Sequence, residues 1–315
     1  MRKMKRILVV GSLNMDVVIG VENLPLAGET ILGKDIKYIP GGKGANQCYT
    51  LGRLGSNATM LGCVGTDEFG NVLLDNLNQT GIDISHIKRC QDSTTGTAMI
   101  YVDKAGNNSI VVVPGANGQC NADYLKEKDF LLQECDYLLL QLEIPFDAVC
   151  YAIKRAKELG KTVILNPAPA PEEIPDCILK LLDYITPNET ELAKLTKSPC
   201  EKEEDILFAA YSLISKGVAN VLVTLGDKGA LLVNENGSER FRAAKVERIV
   251  DTTAAGDCFN AAFVVSLAEG KEPKEAILYA TAAASVSVTR FGAQSSIPDK
   301  EETDRAYEML KQGLI

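Results

Sequence analysis

Histidine is nearly absent from this 315-residue chain, which carries only His86. A His-based catalytic triad therefore has no good candidate, and neither does a zinc site. His86 stands in the polar run 85–89 and reads as a surface residue. Cysteine is scattered rather than scarce: the nine, at 48, 63, 90, 120, 135, 150, 177, 200 and 258, form no CxxC pair or other metal-ligand spacing. Reduced, separate thiols are the expected state. Positive charge is in short supply. A formal net charge of −9, a pI near 4.9 and no basic cluster argue against nucleic acid as a partner, because a phosphate backbone demands a basic patch. Long apolar runs are missing as well. After Arg2, Lys3, Lys5 and Arg6 only residues 7–10 are continuously apolar before Gly11, too short for a signal-peptide core or a membrane span. No membrane partner and a cytoplasmic location follow as expectations. Finally, no GK[ST] closes a P-loop and no GxGxxG marks a dinucleotide site.

What the chain does have, 46% hydrophobic residues, suffices for one large α/β domain or a core with a small appended part. Residues 7–10 read as a buried strand of a parallel sheet. Beyond it Ser12, Asn14 and Asp16 alternate with Leu13, Met15 and Val17, which puts three polar side chains on one face. Ligands bind at the carboxyl ends of strands in open α/β sheets, so Asn14 and Asp16 are candidates for holding the hydroxyls of a polar substrate; a solvated edge strand is equally consistent. Pro25, Gly28 and Gly33 break 17–38 into a small antiparallel excursion. The run 40–47, with Gly41, Gly42, Lys43, Gly44 and Asn46, reads as a glycine-rich entry to a helix over 45–54. Strands are expected over 58–64, 94–102 and 108–113, the last two as a hairpin around Gly106. With the excursion, that hairpin makes a small sheet covering one end of the core. Strand then alternates with helix: strands at 137–142, 162–165, 184–186 and 219–225, a helix at 146–159. This pattern specifies a mainly parallel sheet with helices on both faces. Glu143 follows one strand end, Asn188 and Glu191 fit a capping box or a site for hydrated Mg²⁺, and 224–229 is a glycine-flanked turn.

Residues 251–259 are the most informative stretch. Asp257 sits beside Gly256 where a polar loop meets an apolar helix, 259–268, that must be packed on all sides. The first turn of a helix offers unpaired N–H groups and the positive end of its dipole, a cradle for phosphate. Asp257 there is a candidate base, although this stretch alone favours a plain N-cap.

Taken in order, 41–47 (GGKGANQ) and 251–257 (DTTAAGD) resemble the signatures of the ribokinase-like, or PfkB, carbohydrate kinases across almost the whole chain. Ala254 replaces a glycine common in that pattern, and Cys258 a threonine. The resemblance implies a three-layer α/β/α core over 1–13, 39–94 and 115–315, with a β lid over 14–38 and 95–114 that covers the substrate and pairs two subunits into a homodimer. It implies ATP-dependent phosphorylation of D-ribose at O5, with Asp257 as base and the amides of Ala254, Ala255 and Gly256 as anion hole. Another acceptor, such as 2-deoxyribose or a nucleoside, and a non-catalytic sugar-binding regulator are the alternatives. The sugar contacts it implies are Asn14, Asp16, Gly42, Lys43, Asn46 and Glu143. Asn188, Glu191, Thr224, Gly226, Lys228, Gly229, Gly256 and Thr281 would serve ATP and Mg²⁺. Asp251, Thr253, Ser287, Arg290, Gly292 and Ser296 would serve K⁺, several through carbonyls.

Overall fold

Ile7, Leu8, Val9 and Val10 are all buried because successive side chains of one strand enter different layers. Ile7 and Val9 join one apolar cluster, Leu8 and Val10 another on the opposite face of the sheet. The computed structural model describes residues 5–315; Met1 to Met4, with Arg2 and Lys3 of the basic stretch, lie outside the described residues.

The chain opens with β1 (Arg6–Val10), β2 (Asn14–Gly20), β3 (Asp35–Gly41), α1 (Lys43–Arg53), β4 (Asn57–Gly65), α2 (Glu68–Asn78) and β5 (Ile87–Cys90). The hairpin β6 (Gly96–Val102) and β7 (Asn108–Val113) follows. Next come α3 (Ala122–Glu127), α4 (Asp129–Glu134), β8 (Tyr137–Leu140), α5 (Phe146–Glu158), β9 (Thr162–Leu165), α6 (Asp176–Leu179), β10 (Tyr184–Ile185), α7 (Glu189–Thr196), α8 (Glu203–Ser215) and β11 (Asn220–Thr224). The chain closes with β12 (Ala230–Asn234), β13 (Gly237–Phe241), α9 (Ala255–Ala268), α10 (Pro273–Ser287) and α11 (Lys300–Lys311).

The large sheet runs β13-β12-β11-β10-β9-β8-β1-β4-β5. It is parallel from β11 to β5 and antiparallel only at the β12–β13 edge. Helices α1, α2, α9, α10 and α11 supply the cluster around Ile7 and Val9; α3 to α8 supply the one around Leu8 and Val10. This is the three-layer arrangement that strand–helix alternation demands. α9 is buried at every position from Asp257 to Leu267, and its Phe263 meets Tyr184 edge-on at 5.1 Å.

The small sheet, β3-β2-β6-β7, begins just beyond β1. β2 pairs antiparallel with β3 and parallel with β6, Asn14 standing between Gly41 and Gly96. β3 runs three residues past the expected end of the excursion at 38, straight into the glycine run. β8 stops at Leu140, short of the expected 142, because the N–H of Leu142 turns to the Ala168 carbonyl. His86 is half-buried rather than a surface residue: its ring lies edge-on to Phe130 at 5.4 Å, beside Asp83. All nine cysteines are free thiols. Among the described residues no helix is long and apolar enough to cross a membrane.

Candidate active site

Two glycines let β2, β3 and α1 meet at one point. Gly42, the N-cap of α1, has φ 86°, a left-handed conformation that costs glycine little. A Cβ on Gly44 would lie 2.5 Å from the Ser12 nitrogen, so α1 passes the exit of β1 at a distance only glycine allows. Nearby, buried Asn14 is oriented by Asn117, whose Nδ2 donates to Asn14 Oδ1 at 2.7 Å and to the Leu13 carbonyl at 3.1 Å. Asn117 Oδ1 in turn accepts the Leu13 N–H at 2.9 Å. With its oxygen engaged, Asn14 keeps its NH₂ as a donor. Glu143, beyond β8, accepts the Ser12 hydroxyl at 2.5 Å and the Lys43 N–H at 3.0 Å.

Asp257 is not an N-cap. α9 begins at Ala255 with Ala254 as its cap, which makes Asp257 the third residue of the helix. The earlier start is made by Ala254, whose φ of 60° turns the chain through the left-handed region. That turn costs a non-glycine residue about 1–2 kcal/mol and accounts for the glycine common at this position in the resembled pattern. The Asp257 carboxylate, 7% exposed, accepts Asn46 Nδ2 at Oδ2 (3.0 Å) and Gln47 Nε2 at Oδ1 (2.9 Å). The Ala255 N–H reaches the Thr252 carbonyl at 3.2 Å; among the described residues those of Ala254 and Gly256 meet no backbone acceptor. Gly256 has no left-handed φ, and a Cβ there would touch nothing within 4 Å. Neither conformation nor packing asks for glycine, and the space over the helix end is open.

Asn188 and Glu191 form the capping box of α7: Asn188 Oδ1 accepts the Glu191 N–H at 2.8 Å, and Glu191 Oε2 the Asn188 N–H at 2.9 Å. The other carboxylate oxygen, Oε1, takes no part in the box. Asn188 also bridges to Thr224, at the end of β11. In the turn that follows, Gly226 and Gly229 take φ of 55° and 98°, and Lys228 pairs with Glu189 at 3.1 Å. Thr281 is not tied to this loop; it lies buried in α10 with its hydroxyl donating to the Ile277 carbonyl at 2.9 Å. Asp251, Thr253 and Gly292 come together: Asp251 Oδ1 accepts the Thr253 N–H (2.9 Å) and hydroxyl (2.6 Å), and Oδ2 the Gly292 N–H (2.9 Å). The hydroxyls of Ser287 and Ser296 instead donate to the carbonyls of Ala284 and Ala293, and Arg290 pairs with Glu302. Among the described residues no group of three or more His, Cys, Asp or Glu could hold a metal on its own.

Charge is concentrated here. Burial, then repulsion from Glu143 and Asp257, pushes Asp16 up to about 7 against the pull of Lys43. Burial works to lower Lys43, but Asp257, Glu143, Glu191 and Asp16 outweigh it and hold the ammonium above its usual range. Burial, aided by Asp257, likewise raises Glu191 despite the Asn188 N–H and Lys43. Asp251 goes the other way: burial is outweighed by its bonds from Thr253 and Gly292. Two cavities of about 280 and 670 Å³ open at the amino ends of the strands, around Arg6, Asn57 and Tyr137, away from this cluster. Sequence reasoning placed Ser12 on the polar face beside Asn14 and Asp16 without giving it a role. It missed Asn117, Gln294 and the role of Gln47, of which only Gln47 carried a signal, its place in the glycine run.

The chain resembles known proteins over nearly its whole length. The model of the pfkB family carbohydrate kinases matches residues 4–300. A protein named ribokinase from Haemophilus influenzae is 42% identical over 299 residues, covering 95% of this chain and 97% of that one. A deoxyribokinase of Salmonella typhi is 36% identical, covering 94% and 96%. The structure of Arabidopsis thaliana ribokinase complexed with ribose and ATP superposes with a TM-score of 0.91 at 34% identity, covering 97% of this chain and 99% of that one.

Asp16 makes stability fall with pH. The folded state holds its proton up to about 7, the unfolded chain only to about 3.8, so ionisation between those values favours unfolding. Asp16→Asn is expected to gain melting temperature over the parent as pH rises from 4 to 7.5, with a flat difference above. A difference that does not change with pH would show that Asp16 is not strained by its neighbours.

Proposed function

The chain belongs to the pfkB family of carbohydrate kinases, and from that premise we propose that it transfers the γ-phosphoryl group of ATP to O5 of D-ribose, giving D-ribose 5-phosphate. One observation carries the reading: a buried carboxylate, Asp257, lies one residue from an unpaired helix-terminal N–H over open space. Asp257 takes the proton of the O5 hydroxyl as O5 attacks the γ-phosphorus and the bond to the β–γ bridging oxygen breaks, releasing ADP. The N–H groups of Ala254 and Gly256 receive charge on the transferred group, joined by Ala255 when its N–H leaves the Thr252 carbonyl. Such a transfer asks mainly for positioning and charge stabilisation.

Asp16 and Glu143 accept sugar hydroxyls, Asn14, Lys43 and Asn46 donate to them, and Gly42 lets the backbone approach. Asn188, Thr224, Gly226, Lys228, Gly229 and Thr281 border the nucleotide. The Glu191 oxygen outside its capping box suits Mg²⁺, an ion that keeps most of its waters and takes few protein carboxylates. When bound, Mg²⁺ brings positive charge to the phosphates in a site where acidic groups predominate. K⁺ is assigned beside the anion hole to the loop that Asp251 ties to Thr253 and Gly292. Ser287, Arg290 and Ser296, whose side chains are engaged elsewhere, would act there through main-chain carbonyls.

The small sheet, β2, β3, β6 and β7, serves as a lid that excludes water. Its edge strand β7 exposes Ile110, Val111, Val112 and Val113, each about half exposed. An apolar edge of this kind suits pairing with a second copy in a homodimer. The second reading, 2-deoxyribose as acceptor, is favoured by the deoxyribokinase relative. A non-catalytic regulator would need no base beside an open helix end.

With ATP, Mg²⁺ and K⁺, ribose is expected to give the highest kcat/KM against 2-deoxyribose, fructose and adenosine, and a lower rate when K⁺ is left out. Asp257→Asn should lose roughly 10²- to 10⁴-fold in turnover while binding ribose by calorimetry; near-normal turnover would remove Asp257 from the base role. Gly256→Ala should cut turnover at least tenfold with the melting temperature unchanged or raised. A lower melting temperature with normal turnover would instead make this glycine a folding residue. Val112→Asp should shift the protein from dimer to monomer in sedimentation equilibrium; an intact dimer would place the interface elsewhere.

A further inference from the structure

We propose that Gln47 is a positioning residue for Asp257, holding the base by a chain of amides that all donate towards it. This rests on the reading of Asp257 as base. Gln47 is fully buried in α1. Its Nε2 donates one hydrogen to Asp257 Oδ1 at 2.9 Å and one to Asn166 Oδ1 at 3.1 Å, while its Oε1 accepts Gln141 Nε2 at 2.6 Å. Asn166 is fixed in turn by donating to the Thr186 carbonyl at 3.1 Å. Every capacity of the Gln47 amide except one oxygen lone pair is then assigned, so the amide cannot turn round without breaking three bonds.

A second chain reaches the other oxygen. Asn76 Nδ2 donates to Gln294 Oε1, Gln294 Nε2 to Asn46 Oδ1 at 3.1 Å, and Asn46 Nδ2 to Asp257 Oδ2 at 3.0 Å. The Gln141–Gln47 relay and the Asn76–Gln294–Asn46 relay run in the same sense, hydrogens towards the carboxylate, each bond polarising the next. The branch from Gln47 through Asn166 to Thr186 runs away from it and anchors the Gln47 amide. Asn46 has a claim on the sugar as well; Gln47 has none, since its two hydrogens are already placed. Its contribution is to fix the rotation of the carboxylate, leaving free lone pairs directed away from α1, and to supply a donor to a charge that is otherwise buried. Asp16 on β2, Lys43 on α1 and Glu191 on α7 also act on Asp257, and Cys258 adjoins it, so the test leaves all four intact.

Gln47→Met keeps the volume and removes the donor. It is expected to lower kcat roughly ten- to a hundredfold, the effect of one hydrogen bond to a charged group, with KM for ribose within about twofold of the parent. Gln47→Glu supplies a folded isostere if the Met variant fails to fold. Protonated, the introduced carboxyl can donate as the amide does; ionised, it faces Asp257 as a like charge. The kcat of Gln47→Glu relative to the parent's should therefore fall as pH rises through about 6 to 8, beyond the change that Asp16, pushed up to about 7, brings to both proteins. Parent-like kcat and pH profile in these variants would overturn the proposal, and so would a raised KM at unchanged kcat, which would make Gln47 a sugar contact. Asp257→Asn, assayed alongside, separates the two failures: if it keeps turnover, the base reading has fallen and this inference with it; if it is inactive while the Gln47 variants match the parent, only this inference falls.

Discussion

The site depends on holding one buried carboxylate, Asp257, in a fixed orientation inside the protein. A buried carboxylate is costly unless each oxygen finds a donor. Here the donors come from two consecutive residues of α1, Asn46 and Gln47, 211 and 210 positions away in the chain. That contact fixes how α1 packs on α9, and with it the distance between the glycine run that opens α1 and the helix end that opens α9. The family's two signature stretches are thus held together by hydrogen bonds to a single side chain.

Around this contact the protein accepts several unfavourable features together. Asp16, Glu143, Glu191 and Asp257 crowd round Lys43, and Asp16 is pushed up to about 7 by burial and by its neighbours. Ala254 occupies a left-handed conformation with a Cβ in the way. These are the marks of a site organised for a charged ligand rather than for stability. The amino end of α9 and Lys43 are the positive groups set against this surplus of negative charge.

Much of the fold was legible because its signals are local. Residues 7–10 are apolar without alternation since Ile7 and Val9 enter one layer and Leu8 and Val10 the other. The hairpin showed in the turn around Gly106, and the capping box of Asn188 and Glu191 in a spacing of three. Asp257 could not be assigned locally: an aspartate ahead of an apolar helix looks like a cap, and only the backbone turn at Ala254 moves the helix start past it. Asn117 and Gln294 left no mark at all. An amide in a loop becomes meaningful only when folding aims it at Asn14 or Asn46.

By itself the sequence determined the order of strands and helices, the need for glycine at Gly42 and Gly44, the family and the candidate for the base. These depend on backbone conformation, apolar period and residue type, which are properties of short stretches. The tertiary structure alone decided that Asp257 points to α1 instead of capping its own helix, that Gln47 rather than any lysine braces it, and that Thr281 keeps its hydroxyl within α10. Each of those outcomes is a choice of partner for a polar group. Burial forces the choice, because a group shut off from water must bond to whatever the packing of distant segments brings within about 3 Å.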